Sequence, residues 1–134
     1  MTVAVMTTMR QTIAAALQAE LGFPFVDGRL EGAQNMNLGC TFPIGIEEGD
    51  ENVATETLTV AVRLFQKRID VTDPEHPFNP RYLEDWAERA QQAMIAIQTS
   101  AGPWFIRPVA VAYDMDQQGV EITVTGWGWN GCDP

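Results

Sequence analysis

The sequence holds one histidine, one serine and two cysteines among 134 residues, so the inventory for nucleophilic or acid–base catalysis is short. His76 sits in "DPEHPFNP" (residues 73–80), between Pro74 and Pro77. Histidine is the side chain whose ordinary titration best suits general base work near neutral pH. It needs a nucleophile to activate, and Ser100, Cys40 and Cys132 all lie far from it in sequence. Triads are assembled by geometry rather than by sequence distance. A lone histidine, a lone serine and no strand–turn–helix nucleophile elbow nevertheless outline no such set. The sequence predicts His76 to be a loop residue and the protein not to be an enzyme.

The remaining chemical candidates resolve in the same direction. "GWGWNG" (126–131) matches the letters of a GxGxxG dinucleotide loop. That loop works only where it follows a strand and opens a helix with an acidic residue beyond it, and three residues remain after Gly131. "EEGDE" (47–51) concentrates carboxylates that hard cations favour, as do Asp114 and Asp116. The D-x-[DN]-x-[DN]-G spacing of a calcium loop is absent, so solvated acidic loops are expected. Cys40 and Cys132 form no CxxC unit and have no His or carboxylate at zinc spacing. Two free thiols are expected, with a disulfide left open; no cofactor and no metal are expected.

Charge narrows the partners. Eighteen acidic residues against eight basic ones give a formal net charge of -10. Such a surface repels polyanions and lacks the basic patch that phosphate binding requires. "MTVAVMTTMR" has no basic n-region and its apolar run is broken by Thr7 and Thr8, so synthesis in a cytoplasm without a cleaved signal is expected. No apolar run approaches the ~20 residues of a membrane span.

The elements that would position these residues follow from periodicity. Met9, Ile13, Leu17 and Leu21 recur at helical spacing and predict a first helix over about 8–21, capped by Thr7 or Thr8 and ended by Gly22. Phe23, Phe25 and Val26 suggest a short extended segment closed by an Asp27-Gly28 turn. Residues 31–39 read as loop. "CTFPIGI" reads as a strand that Pro43 confines to an edge or a bulge. "TETLTVAVRLF" is the clearest strand, with Leu58, Val60, Val62 and Leu64 on one face. Asn79-Pro80 reads as an N-cap and first-turn proline, opening a second helix over about 80–98 whose stripe is Leu83, Trp86, Ala90, Met94 and Ile97. "FIRPVAVAY" and "VEITVTGWGW" form a closing hairpin. The sum is an α+β domain, a mostly antiparallel sheet packed by two main helices in the order αββ(β)αββ, occupying 1–134.

In the last strand Val120, Ile122 and Val124 point one way, and Glu121, Thr123, Thr125, Trp127 and Trp129 the other. Either a helix covers that second face or the two tryptophans serve an interface. Seven of the eight basic residues are arginines. Arg63, Arg68 and Arg89 are therefore candidate interface residues for carboxylates of a neighbouring subunit.

The pieces "MRQTIAAALQAELG", "ETLTVAVRLFQKR", "YLEDWAERAQQAMIAI" and "VAVAYDMDQQGVEITVTG" resemble, in their order, the opening helix, long strand, central helix and closing hairpin of the tail terminator (tail completion, neck) proteins of long-tailed bacteriophages. The resemblance covers most of the chain and rests on element order. It implies a structural virion protein, made in the host cytoplasm. Six subunits would form a ring that caps the tail tube, ends tail elongation and joins the tail to the head connector. Its partners would be itself, the tail tube protein and the connector or stopper protein, with DNA passing through the lumen without specific binding. Glu47, Glu48, Asp50 and Glu51 are the candidate lumen or ring-contact loop. Another head–tail connector component shares this build. A standalone binding domain using the Trp127/Trp129 face, and an enzyme built on a carboxylate pair, are the alternatives from other classes.

Overall fold

In a computed structural model of the chain, residues 2–32, 35–48, 55–70, 72, 74–75, 77–100 and 105–129 are described, with backbone alone at 2–5, 48, 55–56, 98–100, 105 and 127–129. The elements run α1 (Thr2–Leu21), β1 (Phe25–Asp27), β2 (Leu38–Glu48), β3 (Thr55–Phe65), α2 (Arg81–Ser100), β4 (Phe105–Asp114) and β5 (Gly119–Trp129). The fold is α+β. Five strands form one sheet in the order β1-β2-β3-β5-β4, antiparallel throughout except for the short parallel pair β1/β2.

Both helices lie on one face. Leu58, Val60, Val62 and Leu64 of β3 and Val120, Ile122 and Val124 of β5 supply the sheet side of the core. Met6, Met9, Ile13 and Leu17 of α1, with Leu83, Trp86, Ala90, Met94 and Ile97 of α2, supply the helix side. Each large side chain so buried stabilises by about 1.5–3 kcal/mol relative to exposure. The two stripes and the period-two strand are those the sequence predicts.

Boundaries differ in physically readable ways. α1 begins at Thr2 rather than near residue 8. Met6 extends the apolar stripe by one turn and is buried, so packing overrides a cap at Thr7 or Thr8; the Thr12 hydroxyl instead donates to the Thr8 carbonyl within the helix. β2 begins at Leu38, inside the stretch expected to be loop, because β1 docks beside Gly39–Thr41. The Phe25 ring lies over Gly39 so closely that an added Cβ would collide with it. α2 runs Arg81–Ser100. The Asn79 side-chain oxygen accepts from the Arg81 N–H at 3.0 Å, the bond of an N-cap.

The segment leaving β3 is held by one glutamine. Gln118 is fully buried at φ 52, in the β4–β5 turn. Its side-chain oxygen accepts from the Ile69 N–H (2.8 Å), its amide donates to the Ile69 carbonyl (2.7 Å), and its backbone carbonyl accepts from Gln66 N–H (3.0 Å). A side chain here does what a neighbouring strand would do.

Candidate functional site: the open face and edges of the sheet

The ladder fixes which residues share the face away from the helices. One row is Cys40–Arg63–Glu121–Ala112, the next on that face is Phe42–Ala61–Thr123–Ala110, then Gly45–Thr59–Thr125–Arg107, then Glu47–Thr57–Trp127–Phe105. No described helix packs on these rows. The residues are small or hydroxylated through the middle and charged toward both ends.

At the β1 side, the chain after β1 folds over this face and builds a charged cluster. Arg63 Nε donates to Glu121 at 2.8 Å and Nη1 to the Leu30 carbonyl at 3.0 Å, with Glu31 at 3.6 Å. The Arg63 and Arg29 guanidiniums lie 5.0 and 5.6 Å from the Phe42 ring centroid, a doubled cation–π contact. Burial works against the Arg63 charge, but the Glu121 hydrogen bond and the Glu121 and Glu31 charges outweigh it and hold its pKa above the ordinary value. Among the described residues Cys40 is a free, buried thiol beneath this cover. Burial pushes its pKa up, against the Leu30 backbone hydrogen bond and the Arg63 charge. A shallow depression of about 560 Å³ opens beside the cluster, lined by Arg29, Glu31, Arg63, Glu121, Asp114 and Asp116 among others. Arg29, Glu31, Arg63 and Glu121 pair with one another, Asp114 accepts from the Gln117 N–H, and no described residue that lines the depression is a histidine or serine. Among the described residues, no group of three or more His, Cys, Asp or Glu is arranged to hold a metal.

The residues singled out from sequence scatter. Arg63 is engaged inside the fold. Arg89 binds Glu20 at the end of α1 and Asp85 one turn earlier in α2, tying the helices together. Arg68 is exposed on the segment after β3, near Asp70. Asp70 accepts the backbone N–H and hydroxyl of Thr72, which lowers its pKa. Glu47 is exposed at the far end of β2, and Glu48 pairs by backbone with Glu56. Trp127 and Trp129 take backbone register opposite Thr57 and Thr55. Asp50, Glu51, His76 and Cys132 lie outside the described residues, as do most of "GWGWNG" and "EEGDE" in side chain.

Of two regions at the margins of the sheet, sequence reasoning reached the one at Pro43 and missed the other. β1 covers β2 only at Gly39–Thr41, so the rest of β2 has β3 on one side and no described strand on the other. Nor does any described strand pair with the outer edge of β4. Both open edges bulge just after a proline, with Ile44 looped out between Pro43 and Gly45 and Val109 between Pro108 and Ala110. Ile44 is 54% exposed and Val109 51%, and Ile46, Tyr113 and Met115 are exposed on the same two flanks. Pro43 signalled one bulge from sequence; Pro108 in "FIRPVAVAY" carried the same signal.

No helix among the described residues is long and apolar enough to cross a membrane. No protein-family model matches the chain, and no curated protein matches its sequence.

Proposed function

We propose that the chain is a structural ring-forming protein of a long-tailed phage, a tail terminator that caps the tail tube and joins it to the head connector. The observation that supports it is the order and packing of elements: an opening helix, a long central strand, a second helix and a closing hairpin, with both helices on one face of the sheet. The open face, and the two sheet edges with which no described strand pairs, leave surface for neighbours. Net charge of -10 suits a lumen that conducts DNA without gripping it. Glu47, Glu48, Asp50 and Glu51 are the residues assigned to that lumen or to a ring contact.

The test is the molar mass of the purified protein by light scattering, with electron micrographs of the same sample and of tail tubes mixed with it. Closed six-membered rings seated on tube ends are expected; a protein that neither forms rings nor binds tube ends is not a terminator. Rings seated on the head connector alone would assign it to another neck position. A standalone binding domain is the second reading, favoured by the open face, which no described helix covers. It predicts a monomer that binds a peptide or apolar ligand and loses it on Trp127→Ala and Trp129→Ala substitution.

A further inference from the structure

We infer that copies of this chain join by strand addition, the outer edge of β4 in one copy pairing with the uncovered half of β2 in the next. The inference deepens the ring reading and rests on it only for closure; the contact itself stands on the two edges. An open row of backbone N–H and C=O groups is a template for another strand. This sheet has two such rows at opposite ends, and both carry exposed apolar side chains, Ile44 and Ile46 on β2 and Val109 and Tyr113 on β4.

Direction and charge select the pairing. Three successive antiparallel pairings separate β2 from β4, so the two run antiparallel within one copy. Rotating a second copy about an axis along the strands therefore sets its β2 antiparallel to the first copy's β4, and the sheet continues with its helix face unchanged. That contact joins two different surfaces, the kind that generates rings when the rotation closes. Arg107 and Glu47 lie on the same face of the sheet, one at each edge, both exposed and neither in an ion pair among the described residues. Arg107 stands in the row of Gly45, two residues short of Glu47. A stagger of two residues sets them opposite and keeps every side chain on its own face, and a closing sheet requires a stagger of this kind. Opposite charges facing each other across a strand pair favour that register over others.

The experiment is light scattering on the full chain and on Arg107→Glu and Glu47→Arg, alone and mixed in equal amounts. Wild type is expected to assemble, and each single variant to need at least about tenfold higher concentration to do so. The equimolar mixture is expected to recover wild-type assembly, because alternating copies restore every Glu–Arg contact. That recovery also excludes misfolding as the cause of the single defects. A wild type that stays monomeric up to about 1 mM overturns the inference. So does assembly indifferent to both substitutions, or sensitive to Arg107→Glu alone, as a β4–β4 dimer would be. Assembly through these edges into open fibres, or into rings that ignore tail tubes, would sink the terminator reading and leave the edge contact standing. Closed tube-capping rings insensitive to either substitution would do the reverse.

Discussion

The two faces of one sheet are built on opposite plans. Beneath the helices, β3 and β5 present an unbroken field of Leu, Val and Ile, fully buried against two helical stripes. On the other side the same strands present half-buried Thr57, Thr59, Thr123 and Thr125, closed at one end by the Arg63–Glu121 cluster. Stability is concentrated on the first face. The second holds short side chains, paired charges and backbone edges, which can meet another surface without being needed for the core. The difference teaches that a neighbour can be accommodated here with little change to folding.

Several substitutions would break or sharpen that contrast. Leu64→Ala, at a fully buried position of the helix-covered face, is expected to cost about 2–5 kcal/mol in a urea unfolding curve. A cost below ~1 kcal/mol would mean the core is not where the strands place it. Gln118→Ala removes both hydrogen bonds to Ile69 and leaves backbone groups unpaired, for about 1–3 kcal/mol. Hydrogen exchange at the Ile69 amide should accelerate with it. Arg63→Met is expected to cost about 1–2 kcal/mol through lost charge-assisted bonds, and a double-mutant cycle with Glu121→Gln should show coupling. Additivity of the two would remove the pair from the account of the open face. Cys40 tests the cover over that cluster. Its raised pKa means the folded protein holds the thiol proton more tightly than the unfolded chain. The stabilisation is complete below the ordinary thiol range and declines as pH rises through it, so alkylation should be slow in the native state at neutral pH and rapid after unfolding. Smallest of all, Thr123→Ala on the open face should shift stability by less than about 0.5 kcal/mol.

Much of this architecture was legible from periodicity. The period-two run Leu58–Leu64 and the stripe Leu83–Ile97 each name their buried face without help from the rest of the chain. The start of α1 was not legible, because Thr7 and Thr8 are good caps and only the sheet below makes burying Met6 worthwhile. The edges were half legible: Pro43 forbids a central position, but which strand ends the sheet depends on the strand order, which no local pattern encodes. The roles of Arg63 and Arg89 were hidden for a related reason. An arginine facing a distant glutamate looks, in sequence, identical to one kept for a partner. Arg107, on an edge strand and free of ion pairs among the described residues, is the arginine that sequence gave no reason to prefer.

The two proline-flanked bulges bear on solubility. Pro43 and Pro108 occupy the same row, joined through Val60 and Val124. A flat valine-rich edge would recruit any extended segment in a crowded cell and seed cross-β aggregates. A kink and a missing donor on both margins deny that to a generic strand, while a copy of the same chain brings its own kink at the fixed two-residue offset that the Arg107–Glu47 register requires. The irregularity works as a password at the border of the sheet, discouraging amyloid-like growth and admitting kin.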